Sequence, residues 1–445
     1  MHSLDPLFEP RSIALIGAAH TEEKLGGIIL KNLLRFRGTV FPVNPRYGEM
    51  MGMKTVRSVA ELPDAPLDAA IIIRPAEEVP GILKELAGRA KSAIIVSSGF
   101  AEVGETALQD KVQRIGREAG IRLLGPNCMG IFNPRHRLDT FFISYEKLKR
   151  PKRGNVAVLS QSGAIMSCLF DSVRAANTGI SKAIGFGNAV DIDIPELYEY
   201  LSHDAATEIV VSYIESLGDG RGFLDAAQRL SKRKPLVILK SGKGASGQAA
   251  AYSHTGRLAG RYEVFTSLLQ QFGIKEAYDF DELIDAAKAL SYQRPARGNR
   301  VCIVTNGGGS GVLAADECMR QGLEVARVSE STLKRLRERF PPFYGMNNPI
   351  DLSAQVKDED YTTALGEVQG EYDGFIIIAL TGVAGITPRL AERIKEFKAG
   401  TDKPLVAYTA NETSRALNRS LERSGIPVYP SPERAVRGLK ALLGA

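Results

Sequence analysis

One pattern runs through the chain from end to end. A short apolar, β-branched run leads into a turn of glycine and small polar residues, and an amphipathic stretch of helical period follows. Apolar runs without polar alternation suit strands buried on both faces. Such strands, separated by helices, imply parallel sheets. The series opens with "SIALIG" (12–17), then a helix with Leu25, Ile28, Ile29 and Leu33 on one face. "TVFPVNP", "LDAAIIIRP", "KSAIIVSSGF" and "GIRLLGPN" continue it. After the basic junction "EKLKRPKRGN" the pattern restarts at "NVAVLSQSGA", with further strands expected in "ISKAIGFGN", "EIVVSYIES" and "KPLVILKSG". After "SYQRPARGN" it restarts at "RVCIVTNGGGSG", and "LEVARV", "DGFIIIAL", "KPLVAYT" and "IPVYPS" are expected in a third sheet. The expectation is an α/β chain of three Rossmann- or flavodoxin-like domains with mainly parallel sheets, over residues 1–145, 150–290 and 297–445. Two Pro/Arg-rich linkers would join them. The three segments share architecture but little sequence, so they are not read as a repeat.

Composition narrows the partners. The chain has 445 residues, 44% hydrophobic and 24% charged, enough for several buried cores. A net charge of +6 with no long basic run reads first as solvated surface lysines and arginines, with attraction of phosphate-bearing small ligands as the functional alternative. Basic patches interleaved with aromatics are missing, which argues against nucleic acid. Cys128, Cys168, Cys302 and Cys318 show no CxxC spacing, so no zinc site or disulfide framework is expected. The start has no basic and apolar signal pattern, and no run is long and apolar enough for a membrane span. A cytoplasmic protein without a membrane partner is expected.

Glycine-rich turns at the three restarts are the first candidate sites. In "LIGAAHTEEKLGG", Gly17, Gly26 and Gly27 join a strand to a helix, where backbone amides can approach a pyrophosphate. The spacing is not GxGxxG, and a tight turn needing small residues is the plain alternative. Strand two ends in "PVNP", with Asn44 and Pro45 in place of the carboxylate that NAD enzymes use for ribose hydroxyls. Lys24, Arg46 and Arg74 are candidate phosphate partners, although taken singly each reads more simply as a surface charge. In the second segment, Ser160, Gln161, Ser162 and Gly163 make either a serine-capped helix start or a phosphate cradle. In the third, Asn306, Gly307, Gly308, Gly309, Ser310 and Gly311 repeat that geometry without the lysine of a P-loop ATPase.

Two side chains stand out for chemistry. Glu215 lies just past a buried strand in "SYIESLGDG", where a carboxylate could orient an imidazole, although a solvated loop acid is the simpler reading. His254, in "QAAAYSHTGRLAG", sits among small residues rather than the bulky neighbours of a core histidine. A surface histidine would look the same. Imidazole near neutral pH is also a good nucleophile toward phosphorus. His2, His20, His136 and His203 are scattered, so no metal site is expected.

The segments "GAAHTEEKLGG", "PVNP", "SSGFAEVG", "GPNCMGIFN", "LSQSGA", "GFGNAVDID", "YIESLGDGRGF", "LKSGK", "SHTGRLAG", "TNGGGSGVLAAD" and "NPIDL" occur in this order. As a set they resemble the NDP-forming acyl-CoA synthetases, relatives of succinyl-CoA synthetase, over essentially the whole chain. The likeness is greatest to the α subunits of the ADP-forming acetate–CoA ligases. It implies a reversible reaction in which acyl-CoA, phosphate and ADP give a carboxylate, CoA and ATP through an acyl phosphate and a phosphohistidine. By the resemblance, His254 takes the phosphoryl group, Glu215 is its carboxylate partner, and the Ser160–Gly163 and Asn306–Gly311 turns hold the phosphate. CoA would lie near Gly17, Ala18, Lys24, Asn44, Pro45 and Arg74. ADP or ATP with Mg2+ would lie on a separate ATP-grasp β subunit, expected because the chain stops after its third domain, in an α2β2 assembly or with an α-dimer alone. Tyr252 and Arg74 depart from the usual residues of the pattern. A non-catalytic CoA-binding or regulatory protein of the same fold is the alternative, and an NAD-dependent oxidoreductase is disfavoured by "PVNP". The carboxylic acid is left open.

Overall fold

The computed structural model describes residues 2–249, 261–410 and 414–444. The chain forms two compact units, Met1–Tyr278 and Asp279–Ala445. It is α/β throughout, with mainly parallel sheets, as the apolar runs require.

The first unit holds two large sheets and a two-stranded antiparallel ribbon, Glu49–Met50 with Met53–Lys54. β1 (Ser12–Ile16), β2 (Thr39–Val43), β3 (Leu67–Ile72), β4 (Ala90–Ile95) and β5 (Arg122–Leu124) are all parallel, in the order β2-β1-β3-β4-β5. Pro42 falls on the edge strand β2, where a missing backbone donor is tolerated. Helix α1 (Leu25–Leu33) follows β1 and buries Ile29, Leu30 and Leu33. The second sheet contains β6 (Gly130–Asn133), β7 (Leu138–Asp139), β8 (Arg153–Ser160), β9 (Ile180–Gly185), β10 (Ile209–Ile214), β11 (Leu236–Lys240) and β12 (Lys275–Ala277), in the order β12-β11-β10-β8-β9-β6-β7. β8 to β12 run parallel, and β6 is antiparallel to β9. β6 and β7 thus come from the segment assigned by sequence to the first domain. Helix α2 (Gly163–Ala175) leaves β8 and buries Met166, Leu169, Phe170 and Val173.

The junction read as a linker at "EKLKRPKRGN" is instead a packed corner. Arg150 is buried, its Nε 2.8 Å from Asp139 Oδ2, and it donates to the Ile143 carbonyl and stacks over Tyr145. A buried guanidinium is tolerated only when its donors are met, and here they are.

The second unit has one large sheet: β13 (Val301–Thr305), β14 (Ile350–Asp351), β15 (Gly374–Leu380), β16 (Leu405–Ala410) and β17 (Val428–Tyr429), in the order β14-β13-β15-β16-β17, all parallel, and a two-stranded parallel pair, Ala296–Arg297 with Leu443–Gly444. Helix α3 (Phe280–Tyr292), expected at the end of the second domain, packs here against α5 (Pro432–Leu442). Arg434 reaches Asp285 with Nε at 2.9 Å and Nη2 at 2.7 Å, and the Tyr429 hydroxyl donates to the Asp285 carbonyl. The second expected linker, "SYQRPARGN", is also hooked in place, since Gln293 bonds the Leu405 amide and carbonyl. "LEVARV" is not a strand of this sheet. It makes one isolated bridge, Arg300 to Glu324. The Asn348 side chain occupies that edge of β13, accepting from Ile303 N–H and donating to the Val301 and Ala326 carbonyls.

Candidate active site

The turn after β1 packs more tightly than any side chain would allow. Gly17 has φ +94°, and a Cβ there would lie 2.2 Å from the Ile73 carbonyl oxygen. A Cβ on Gly26 would lie 2.0 Å from the Gly17 oxygen, and one on Gly27 1.9 Å from the Thr21 oxygen. The glycines bring the start of α1 against the strand turn and leave main chain facing a cleft of about 790 Å³. Gly17, Ala18, Lys24, Asn44, Pro45, Arg46 and Arg74 all line it. Lys24 is the N-cap residue of α1 and adds no side-chain cap, so the helix start faces the cleft with its first amides unmet inside the helix.

Two of these residues do other work than expected. Asn44 donates from Nδ2 to the Ala18 carbonyl at 2.9 Å and accepts from the Arg46 amide, tying the end of β2 to the β1 turn. Arg74 is paired fork-to-fork with Glu78, at 2.8 and 2.9 Å. Any anion it binds must share it with that carboxylate. His20 and Tyr47, which the reading of the sequence passed over, stack on each other beside the cleft with ring centres 5.7 Å apart.

The second sheet presents a denser site. Ser160 Oγ, fully buried at the end of β8, donates to the Ser162 carbonyl at 2.7 Å and accepts from the Ser162 amide at 3.2 Å. Ser162 caps α2 by accepting from Ile165 N–H. Gln161 turns its amide toward the end of β10. Its Oε1 accepts from the Glu215 and Ser216 amides, and its Nε2 donates to the Ser216 carbonyl at 3.0 Å. The Ser160 and Gln161 side chains are therefore engaged by the protein itself. The amides at the start of α2, at Gly163 and Ala164, are what the turn offers an anion.

Glu215 is a buried carboxylate rather than a solvated loop acid, at 6% exposure. Burial raises the Tyr213 pKa; Ser241 opposes this, and the Glu215 carboxylate that its hydroxyl reaches adds to it. Lys240, at the end of β11, is also buried and donates from Nζ to the carbonyls of Glu215 (2.7 Å) and Ser241 (2.5 Å). Burial pulls its pKa down to about 8, against the upward pull of Glu215 and Glu276. Lys240 and Tyr213 were missed in the sequence. The available signal was a lysine closing the otherwise apolar strand "LVILK".

In the second unit, Thr305 Oγ1 donates to the Gly307 carbonyl and accepts from the Gly307 amide. Asn306 exchanges both its amide groups with Leu380, the last residue of β15. Helix α4 (Gly308–Arg320) starts after Gly307 with no side-chain cap, and Gly308, Gly309, Ser310 and Gly311 form its first turn. A Cβ on Gly308 would lie 2.9 Å from Asp351 Oδ2, so an acid stands beside this helix start. His254 lies outside the described residues.

Family models match three segments: a CoA binding domain over residues 11–134, a succinyl-CoA ligase like flavodoxin domain over 153–290 and a ligase-CoA domain over 301–441. The chain is 38% identical to the α subunit of an ADP-forming acetate–CoA ligase II from Pyrococcus furiosus, over 99% of this chain and 97% of that one. It is 37% identical to an ADP-forming acetate–CoA ligase from Methanocaldococcus jannaschii, over 97% of this chain but 62% of the relative. The structure of a dinucleotide-forming acetyl-coenzyme A synthetase 1 from Ca. Korarchaeum cryptofilum, in complex with phosphate and ADP, superposes with a TM-score of 0.90 at 34% identity, covering 99% of this chain and 96% of that one.

Proposed function

The chain belongs to the ADP-forming acetate–CoA ligases of the succinyl-CoA synthetase superfamily, and from that premise we propose that it is the CoA-binding, phosphohistidine-carrying α subunit of an ADP-forming acyl-CoA synthetase. Acyl-CoA and phosphate give an acyl phosphate and CoA. The phosphoryl group passes to a ring nitrogen of His254, releasing the carboxylate, and then to ADP, forming ATP. The first step breaks the thioester C–S bond and makes a C–O bond to phosphate; each later transfer exchanges one P–O and one P–N bond, without net redox change.

The residues of this chain divide the work. The cleft above β1 has a size suited to a nucleotide-bearing thiol, and its glycine-lined main chain and Lys24 fit the phosphates of CoA. The start of α2 supplies oriented amides for phosphoryl oxygens. Glu215 fixes the imidazole tautomer and stabilises the imidazolium that forms. The start of α4 is assigned as a second phosphate-holding helix. ADP or ATP with Mg2+ is assigned to an ATP-grasp β partner in an α2β2 assembly. This is supported by the near-complete overlap with a relative named as an α subunit. The division into a CoA domain (1–145) and two ligase-type domains (150–290 and 297–445) is supported by the three matched segments. Among the described residues no helix is long and apolar enough to cross a membrane, and a cytoplasmic location is proposed.

One observation supports this reading most: a buried glutamate just past a strand's C-terminal end, its backbone amide held by Gln161 of the turn that leads into α2. Its test is acid-labile labelling of the chain by radiolabelled phosphate with an acyl-CoA, or by radiolabelled ATP with the β partner. His254→Ala is expected to abolish both. Labelling of that variant at the wild-type level would overturn the assignment.

A further inference from the structure

β10 is flanked in the sheet by β8 on one side and β11 on the other. Past Ile214 it leaves the ladder, yet the peptide between Glu215 and Ser216 is gripped at both ends, by Gln161 from the turn just after β8 and by Lys240, the last residue of β11. Its N–H goes to Gln161 Oε1 at 3.0 Å, and its C=O takes Nζ–H of Lys240 at 2.7 Å. The preceding amide, Glu215 N–H, also goes to Gln161 Oε1. With the amide planes on both sides of its Cα fixed, Glu215 has its backbone conformation set, and with it the direction of its Cβ.

A purely architectural role does not account for the lysine. A buried ammonium is a costly way to satisfy two carbonyls, those of Glu215 and Ser241. The matching turn at Asn306 holds its neighbouring strand with an amide side chain alone. A cation is added only where a carboxylate follows the strand. We propose that Gln161 and Lys240 are positioning residues, a two-sided clamp that holds the Glu215 main chain and so sets the direction of its carboxylate. This rests on the phosphohistidine reading above.

The test uses the chain assembled with its β partner, acetyl-CoA and radiolabelled phosphate, and follows acid-labile labelling. Gln161→Met and Lys240→Met are each expected to slow labelling about 10- to 100-fold, the scale of a small misplacement of a catalytic group. Lys240→Arg, which keeps the donors, is expected to recover most of the loss. CoA affinity, measured separately, is expected to stay within about twofold, since the cleft above β1 lies on another sheet; this also reports that each variant folds. In a Glu215→Gln background the two Met substitutions are expected to add little, because the group they position is gone. Full multiplicative losses in that background, or an Arg variant as slow as the Met variant while still binding CoA, would overturn the clamp and leave the phosphohistidine reading standing. A Glu215→Gln enzyme with wild-type labelling would instead remove the reading itself and the clamp with it.

Discussion

The turns after β8 and β13 are built alike and equipped differently. In each, the hydroxyl of the last strand residue, Ser160 or Thr305, bridges the amide and carbonyl two residues on. In each, the next residue is an amide whose side chain clamps the adjoining strand's end, and a helix begins two residues later. Gln161 is one methylene longer than Asn306. It reaches past the end of β10 to residues 215 and 216, whereas Asn306 stops at Leu380, still inside β15. That reach brings a buried acid and its lysine into the first turn. The second has no such lysine among the described residues and no side-chain cap; a Cβ on Gly307 would lie 2.4 Å from Leu380 Cδ1, so a serine there would have to displace that methyl. The lesson is that one scaffold turn recurs in both units, while only the first of the two has a neighbouring strand that supplies a buried glutamate and a lysine beside it.

This contrast can be broken most sharply at the acids. Glu215→Gln is expected to lower the rate of acyl-CoA-driven ATP formation by about 10²- to 10⁴-fold. Asp351→Asn, beside the other helix start, is expected to change it by less than about tenfold. Equal losses at both would erase the difference. The likeness is tested by stability. Gln161→Leu leaves three backbone groups without a side-chain partner and Asn306→Leu leaves two, at about 1–3 kcal/mol for each buried group. Both should lower the unfolding midpoint, Gln161→Leu more, and a drop at one site alone would show that the turns are not equivalent.

The lysine gives a finer test through pH. Its folded pKa of about 8 lies below the ordinary 10.5, so between those values the unfolded chain binds a proton that the folded chain lacks. Stability from this group therefore rises as pH climbs from 8 to 10.5, with a slope of at most about 1.4 kcal/mol per pH unit. Denaturant unfolding of wild type and Lys240→Met across this range should show the difference; parallel curves would contradict a charged, buried Lys240. A neutral amine keeps two N–H groups for its two carbonyls, so the clamp outlasts the titration. The smallest effect is expected at the cap, where Ser162→Ala should cost about 1 kcal/mol in the same measurement.

Much of this was legible in the chain. Runs such as "NVAVLS" and "RVCIVT" can only be strands buried on both faces, and the small polar residues after them mark helix starts at the strands' C-terminal ends. Ser160 to Gly163, Glu215 and Asn306 to Gly311 were located on that ground, and the residues around Gly17 do line one cleft. What misled was the identity of partners. "LEVARV" has the apolar content of a strand, but Asn348, distant in sequence, holds the edge it would have joined. The two basic junctions look like linkers until Arg150 and Gln293 are seen to be anchored in packed structure. Arg74, which reads as a phosphate ligand, is half occupied by Glu78 four residues on.

Sequence alone determined the class of fold and the family, and it marked the stations along the chain where chemistry is expected. Those follow from local pattern: side-chain period, turn residues, and short motifs in a fixed order. Only the tertiary structure decided what each side chain at those stations touches. Strand order is set by non-local packing, and it is strand order that puts β10 between β8 and β11. The same glutamine and lysine on strands placed elsewhere in the sheet would have had no shared peptide to hold.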